Sequence, residues 1–440
     1  MRRRTWLAIS ALLVLVGCST NCEGVSAPTD VGPGLDDANW AVVTLERPAK
    51  SLTIFKWQGH QPIFPETRWE DGCGLGCSST SLRFGDGIEG MTIGSRYAEH
   101  TGRHEAYAME VHYFENTARS IARAWRLSDG AELGGLLVTP KDGEARRFVV
   151  SPRSEDPDVI LVQSFDDGNL WVVHSRSGWD LKLPWRPLSL DAELAELCYN
   201  FGAPEQPVLA FGCPTGLHVM KTRGSSEVSV LGEKVRVPTG EGSGSSLIWA
   251  EHVQKTDNEI ASRIRVWSFG GDEVRNLGEL PGEVCALAAT REHVAGVWSR
   301  DGADSRFCLS HMANPEIFRI GRDDGRLELG PRLADGAVRV GSLRTNGRFS
   351  ALIAEFPTGQ ATIGSEATRI LLLRHSDGKM RQFVAPAGFT LGRSTIAIDE
   401  EHLYFTRWSS KPRDHRFDRL FRYRLDSFDE IGEPYEAPGS

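Results

Sequence analysis

The chain repeats a short strand that ends in a tight turn, and this repeat limits the available folds more than any other feature. Eight such units close on Gly, Asn or Ser, at residues 54–59, 124–130, 173–178, 219–224, 266–271, 309–314, 372–378 and 422–427. From turn to turn the intervals are 71, 48, 46, 47, 43, 64 and 49 residues, so five of the seven lie within 43–49. A unit of that length accommodates one four-stranded sheet, with Gly or Asn supplying the positive φ of a hairpin turn.

The segments between these turns have the chemistry of β-strands. Apolar β-branched and aromatic residues alternate with polar ones and are bounded by Gly, Asp, Asn, Ser or Pro, which predicts strands. The clearest examples are residues 40–45, 52–57, 159–165, 170–174, 261–269, 293–299, 370–374, 402–408 and 420–425. Only residues 190–197 and 105–113 have a helix-like pattern, and both stretches are short.

Repeated four-stranded sheets must stack, because one sheet cannot bury both of its faces alone. Closed into a ring, the stack resembles the β-propeller class, so we predict an all-β propeller over residues 38–440 with seven or eight four-stranded blades. Eight turns favour eight blades, whereas a first unit that is one strand short favours seven. Two β-sandwich domains are the alternative, since they also show short strands at close spacing. The two long intervals predict insertions, one of which includes residues 357–368.

The N-terminus has the character of an export signal. Three arginines at positions 2–4 precede an uncharged apolar run at 6–17, which is too short to span a bilayer. The run ends in Leu15-Val16-Gly17-Cys18, which resembles the lipobox of bacterial lipoproteins. The resemblance implies a signal peptide at 1–17, cleavage before Cys18, a diacylglyceryl thioether on Cys18 and acylation of the new N-terminus. Ser19 is similar to the residue found in lipoproteins that are sorted to the outer membrane.

Charge and hydropathy favour a water-exposed body that is tethered by lipid. Removing residues 1–17 takes away three arginines and no acid, which changes the formal net charge from −9 to −12. An acidic body argues against nucleic-acid binding. No later stretch approaches 18 apolar residues, which argues against an integral membrane protein. Residues 18–37, rich in Pro, Gly, Ser and Thr, are expected to form the lipidated Cys and a flexible tether.

Seven cysteines follow Cys18, and an exported location permits disulfides. The cysteines alone do not define the connectivity. A zinc site is less favoured at Cys73 and Cys77, because only His60 is close in sequence as a further ligand. The expected pairings are Cys198 with Cys213 across consecutive strands, Cys73 with Cys77 around a small loop, and Cys285 with Cys308, which leaves Cys22 unassigned.

Two groups of polar residues are candidate ligand positions. A basic hairpin tip fits a phosphate or an acidic partner surface, although a solvated loop is the plainer interpretation; it contains Arg407, Lys411, Arg413 and Arg416. Asp166, Asp167 and Asn169 offer oxygens to calcium, but calcium takes about six to eight oxygens and these are ordinary turn residues. We favour a turn there, and likewise at residues 301–304 and 323–325.

Tryptophan is the third candidate. Trp179 and Trp185 flank residues 180–184, where an exposed ring could stack on a sugar or anchor a partner, although core or edge packing is the favoured interpretation for each ring. The tryptophans on predicted strands are expected in the core between blades: Trp40, Trp57, Trp125, Trp171, Trp249, Trp267, Trp298 and Trp408.

Catalytic signatures are absent from the sequence. It has no Gly-x-Ser-x-Gly, no phosphate loop ending in Gly-Lys-Ser/Thr and no His-Glu-x-x-His. We therefore expect a lipid-anchored protein at the periplasmic face of the outer membrane or at the cell surface, without a cofactor beyond its lipid, whose propeller binds an envelope protein. In outline it resembles the propeller lipoproteins that scaffold outer-membrane protein assembly. Two alternatives remain open: a propeller enzyme, such as a glycan hydrolase or lyase or a calcium-dependent phosphatase, and a sensor of a small ligand or sugar.

Overall fold

The computed structural model of the protein describes 23 segments of the chain. They are residues 40–45, 56–63, 92–98, 102–114, 119–140, 148–151, 159–164, 170–174, 184–185, 200–203, 206–213, 216–221, 228–232, 235–237, 246–256, 259–268, 273–300, 312–356, 368–384, 389–390, 396–406, 408–409 and 420–436.

The first four sheets are antiparallel and are built from consecutive strands, except that sheet 1 also receives the first described strand of the chain. Sheet 1 contains β1 (Trp40–Leu45), β4 (Thr92–Ala98), β5 (Arg103–Phe114), β6 (Arg119–Arg126) and β7 (Glu132–Pro140), in the order β1-β7-β6-β5-β4. Sheet 2 contains β8 (Phe148–Ser151), β9 (Val159–Ser164), β10 (Leu170–His174) and β11 (Pro184–Trp185). Sheet 3 contains β12 (Asn200–Ala203), β13 (Gln206–Cys213), β14 (Gly216–Lys221) and β15 (Val228–Gly232). Sheet 4 contains β16 (Val235–Val237), β17 (Ser246–Thr256), β18 (Glu259–Ser268) and β19 (Val274–Pro281).

The last three sheets follow the same plan, and sheet 6 also receives strands from elsewhere in the chain. Sheet 5 contains β20 (Glu283–Ala289), β21 (His293–Ser299), β23 (Glu316–Gly321) and β24 (Leu327–Arg332). Sheet 6 has the order β22 (Met312–Ala313), β25 (Ala337–Thr345), β26 (Phe349–Glu355), β27 (Thr368–Arg374), β28 (Met380–Val384) and β34 (Glu433–Tyr435). Sheet 7 contains β30 (Ile396–Ile398), β31 (His402–Thr406) and β33 (Leu420–Arg424). The remaining elements are the hairpin of β2 (Lys56–Gln58) and β3 (Gln61–Ile63), the pair of β29 (Phe389–Thr390) and β32 (Trp408–Ser409), and a 3-10 helix at Leu425–Glu430.

The sheets are blades that pack face to face around a ring. β6 contacts β8, β13 contacts β16, and the first strands of the later blades then meet in succession: β16 with β20, β20 with β25, and β25 with β30. The ring continues from the last blade to the first, where β30 contacts β4 and β5. Across this junction Ile398 N donates to Ser95 Oγ at 2.6 Å. The fold is therefore a β-propeller, and the alternative of two β-sandwiches is wrong.

The described chain has seven blades, and eight sequence units arise because the first and last units share one blade. β3 of the N-terminal hairpin lies alongside β33 of blade 7. His60 O accepts a hydrogen bond from Arg422 N at 3.0 Å, which joins the two segments through their backbones. An N-terminal segment thus completes the C-terminal blade.

Apolar layers between neighbouring blades form the core, and strand pleating divides the side chains between them. On β23, Phe318 and Ile320 join the layer between blades 4 and 5, whereas Ile317 joins the layer between blades 5 and 6. On β26, Leu352 and Ala354 face blade 5 in the same way, and their neighbours face blade 7. Nearly continuous burial along β17, β20 and β26 follows, because both faces of these blades are covered.

Two expectations need correction. Residues 105–113 lie in strand β5, which pairs with β4 on one edge and β6 on the other, so that sheet pairing overrides a weak helical pattern. The expected turn of blade 5 at Asn314 is instead the link between β22 and β23, and the hairpin turn of that blade is at Gly325, where φ is +65°.

Candidate functional site

Most of the site residues that the sequence singles out lie outside the described residues. These are Cys18, Cys73, Cys77, Asp166, Asp167, Asn169, Trp179, Cys198, Cys308, Arg407, Lys411, Arg413 and Arg416. Cys213 ends β13 and Trp185 ends β11. The pairing of Cys213 with Cys198, and that of Cys73 with Cys77, therefore stay predictions.

Cys285 corrects one expectation. It is a free thiol on β20, buried in the apolar layer between blades 5 and 6. The expected disulfide with Cys308 is therefore wrong in this structure. The spacing of two cysteines in sequence does not reveal that one of them is directed into the core.

The tryptophans of blades 4 and 5 confirm a second expectation. Trp249, Trp267 and Trp298 are 0%, 3% and 2% exposed, as expected for side chains in the core. Trp57 is half-buried and packs against residues of the first and last blades. All four rings stabilise the propeller, and the three fully buried ones are not accessible to a ligand.

A polar cluster lies between blades 5 and 6, where the apolar layer meets the hairpin turns. An Arg319 Nη2 to His293 Nε2 distance of 2.6 Å joins β23 to β21, and a Ser350 Oγ to His375 Nε2 distance of 2.8 Å joins β26 to the residue after β27. Side chains alternate between the two faces of a strand. Each of the four residues lies an even number of positions along the chain from a residue of that apolar layer, so all four side chains are directed towards the same interface. We call these four residues the blade 5/6 cluster.

The electrostatics of this cluster favour neutral imidazoles. Burial, with the charges of Arg319 and His293, lowers the pKa of His375 to about 4. Burial and Arg319 also lower the pKa of His293. Ser350 is 0% exposed, so its hydroxyl is not accessible to a substrate in this conformation. The hydrogen bond to His375 is therefore in the right distance range for a nucleophile and base, but the hydroxyl is enclosed in the interface.

A second polar group lies at the junction of blades 7 and 1. Asp399 Oδ2 accepts a 2.7 Å hydrogen bond from the Tyr404 hydroxyl, and its Oδ1 accepts from the backbone N–H groups of Glu401 and His402. Burial raises the pKa of Tyr404 and lowers that of His104 across the junction. Within the described residues, no group of three or more His, Cys, Asp or Glu side chains could hold a metal ion. The Asp399 carboxylate is instead held by the backbone N–H groups of its own turn.

The outer edge of blade 5 is the most exposed apolar surface in the described part of the chain. Leu327 and Leu329 of β24 are 40% and 55% exposed, and every residue of β24 except the half-buried Pro331 is exposed. Across the strand pair, the two leucines lie opposite Ile320 and Phe318, which are fully buried. The leucines therefore extend the apolar layer between blades 4 and 5 to the rim of the propeller. We call Leu327–Arg332 the blade 5 edge.

The architecture places the chain in the β-propeller class, and comparison with known proteins adds no narrower group. No protein family model matches the sequence, and no curated protein matches it. No helix among the described residues has the length and apolar character required to cross a bilayer.

Three solved structures with a similar fold are distant from this chain in sequence. The Myceliophteria thermophila Cps50 (Swd1) β-propeller domain is 10% identical with a TM-score of 0.37, covering 78% of this chain and 96% of that one. The tricorn protease is 8% identical with a TM-score of 0.35, and the match covers 82% of this chain but only 44% of the protease. The Trypanosoma rangeli sialidase is 8% identical with a TM-score of 0.32, covering 87% of this chain and 62% of the sialidase.

Proposed function

We propose that this protein is a lipid-anchored protein of the cell envelope that binds another protein through the rim of its propeller. The observation that carries the proposal is the exposed leucine pair of the blade 5 edge. Large apolar side chains exposed side by side are costly in water and are typical of contact surfaces. The lipobox-like Leu15-Val16-Gly17-Cys18 supports the anchor, because a lipidated N-terminus and the tether after it would hold the propeller close to a membrane.

The buried polar groups support binding over catalysis in the described chain. Asp399, Tyr404 and Ser350 are buried between blades, and with the half-buried His375 they serve as hydrogen-bonding partners within the fold. A reacting group must be within reach of substrate. The blade 5 edge, in contrast, is directly accessible.

Photo-cross-linking in intact cells tests this function. A photo-reactive amino acid replaces Leu329, and the matched control replaces Lys379, an exposed residue of a hairpin turn in blade 6. We expect one defined envelope protein to be cross-linked from position 329, in near-equal amount to this protein, and not from position 379. The cross-link should weaken when Leu327→Asp is added, because an aspartate interrupts the apolar contact.

The anchor has its own readout in the same cells. Cys18→Ala should move the protein out of the membrane fraction, because no thioether can form, while the propeller remains folded. A Cys18→Ala variant that partitions into detergent like the wild type contradicts lipidation. Equal cross-linking from positions 329 and 379 contradicts the binding surface.

A further inference from the structure

The propeller repeatedly covers the outer edges of its own blades with added strands. The N-terminal β1 pairs antiparallel with β7 at the edge of blade 1, and the C-terminal β34 pairs antiparallel with β28 at the edge of blade 6. β3 lies alongside β33 at the edge of blade 7. Two of these additions, β3 and β34, are only three residues long. A short extended segment is therefore sufficient to occupy a blade edge in this molecule.

The blade 5 edge has no such cover among the described strands. The sheet order ends at β24, so one side of its backbone is not part of a described ladder. An open strand edge presents N–H and C=O groups whose natural complement is another extended backbone. The outer strand of blade 4, β19, also ends its sheet, but its Leu277 and Leu280 are buried, so that edge lacks exposed apolar side chains.

The side chains of the blade 5 edge indicate what a partner strand must supply. The charged residues of this edge already have partners within the molecule: Arg332 lies 3.5 Å from Glu316 and 3.3 Å from Asp335, and Glu328 lies 3.6 Å from Arg326. The two leucines alternate on one face and remain exposed. An added strand therefore gains most from apolar side chains at alternate positions, and it requires no net charge.

Pro331 limits the length of the contact. Proline has no backbone N–H and cannot donate to a ladder. The part of the edge that can pair freely is thus Leu327 to Gly330, a length similar to that of β3 or β34.

We propose that the blade 5 edge binds an extended segment of a partner protein by strand addition, with apolar side chains of that segment packed on Leu327 and Leu329. The proposal rests on the proposed protein-binding function and names its binding mode. The added strand continues sheet 5 outward, as β34 continues sheet 6. Backbone hydrogen bonds supply the alignment, and the two leucines supply the preference for alternating apolar residues.

A peptide selection tests the binding mode on the whole protein. A phage-displayed library of linear peptides is selected on the wild type and counter-selected on Leu329→Asp. Because Leu329 is 55% exposed, this variant should keep the wild-type unfolding temperature. We expect selected peptides with alternating apolar residues, whose affinity falls about tenfold or more on Leu327→Asp or Leu329→Asp. Replacing Val384, an exposed apolar residue of blade 6, with Asp is the matched control and should leave affinity unchanged.

Methylation of the peptide backbone separates strand addition from side-chain contact alone. Single N-methyl groups along the best peptide should abolish binding at every second residue and be tolerated between, because alternate N–H groups of an edge strand face its partner. Uniform tolerance of N-methylation, or selection of helical peptides, overturns the proposal. Dimers cross-linked through position 329 also overturn it, because a second copy would then occupy the edge. If N-methylation blocks binding at every second peptide residue but no partner is cross-linked in cells, only the proposed function is contradicted. If a partner is cross-linked in cells but N-methylation is tolerated at every position, only the binding mode is contradicted.

Discussion

His375 and His293 lie where the apolar layer between blades 5 and 6 meets a guanidinium. Their pKa values are lowered because an imidazolium there would be desolvated and would repel Arg319. The groups that face His375 across this interface are Arg319 and His293 from blade 5 and Ser350 from its own blade. Protonation would therefore bring three cations together between two blades.

This environment predicts that the protein loses stability in mild acid. The folded pKa of His375 is about 4 and the unfolded pKa about 6.5, so the unfolded chain takes up a proton first as pH falls. The contribution of neutral His375 to the free energy of unfolding is therefore fully present above pH 6.5. It decreases progressively towards pH 4, by on the order of 2 to 3 kcal/mol. Denaturant unfolding at successive pH values measures the effect.

His375→Gln is the matched variant for this experiment, because the glutamine amide can still bond Ser350 but does not titrate. We expect a flatter pH dependence of unfolding free energy between pH 6.5 and 4 than in the wild type. Identical slopes for the two proteins would rule out a contribution from His375.

At the scale of single elements, one hairpin turn recurs in blades 1, 5 and 6. It spans residues 126–131, 321–326 and 374–379, with Asp-Gly at its fourth and fifth positions. In each copy the Gly N–H donates to the first C=O, the Asp carboxylate accepts from the sixth N–H, and the Gly has φ of +65° to +72°. Arg374 adds bonds to Asp377 and to Asp429 of the 3-10 helix. The same local chemistry therefore shapes three blades.

Gly378→Ala should destabilise the protein by about 1 kcal/mol through backbone strain alone. The φ of Gly378 is +72°, and an added Cβ would have no atom within 4 Å. Gly378→Asn should cost less, since Asn tolerates this conformation. The control is Gly296→Ala, where the new Cβ would lie 2.2 Å from Phe318 Cζ and the loss should be several-fold larger. Thermal unfolding ranks the stability of the three variants. Equal losses of stability would contradict the explanation of Gly378→Ala by backbone strain and of Gly296→Ala by a steric clash.

A second turn recurs between the first two strands of three blades, and no repeat was predicted for it. In blades 5, 6 and 7 the first two strands are joined by turns that begin with Thr290, Asn346 and Asp399. In each turn that side chain accepts hydrogen bonds from backbone N–H groups two and three residues later. The pattern Thr/Asn/Asp-x-x-His/Phe could have placed these blades, but three different residue types perform the role and obscure the repeat.

At the scale of the whole molecule, stability depends on how the ring closes. Trp57 is central to this junction: its Nε1 donates to Leu127 O of blade 1 at 2.7 Å, and its ring lies 5.8 Å from that of Tyr404 in blade 7. The Arg422 guanidinium lies 4.5 Å from the centre of the same indole. One side chain from the N-terminal hairpin thus contacts both ends of the ring.

Trp57→Ala should open this junction and lower the free energy of unfolding by about 2 to 4 kcal/mol, because it removes a large ring from a shared contact. Hydrogen exchange should quicken first in β30 and β4, which meet across the junction. Trp57→Phe should retain part of the stability, although it loses the bond to Leu127. Trp267→Ala in blade 4 is the control. If it quickened hydrogen exchange at the junction as much as Trp57→Ala does, a specific role of Trp57 in closing the ring would be contradicted.

The sequence by itself determined the strands and many of their turns. Residues 40–45, 170–174 and 293–299 form strands with the predicted bounds, and Gly59, Gly130 and Gly378 have the predicted positive φ. These features are local, because alternation and turn chemistry act within a few residues of the chain. The lipobox-like N-terminus belongs to the same local kind of signal and remains a prediction.

Only the tertiary structure decided which distant segments meet. It placed the hairpin of Trp57 beside β33 and so reduced eight units to seven blades. It also buried Cys285, gathered the blade 5/6 cluster and left Leu327 and Leu329 exposed on an edge that no described strand covers. The physical reason is that a strand's sequence specifies which faces are apolar but not which edge it pairs with. That choice depends on contacts between residues far apart in the chain, which no local pattern encodes.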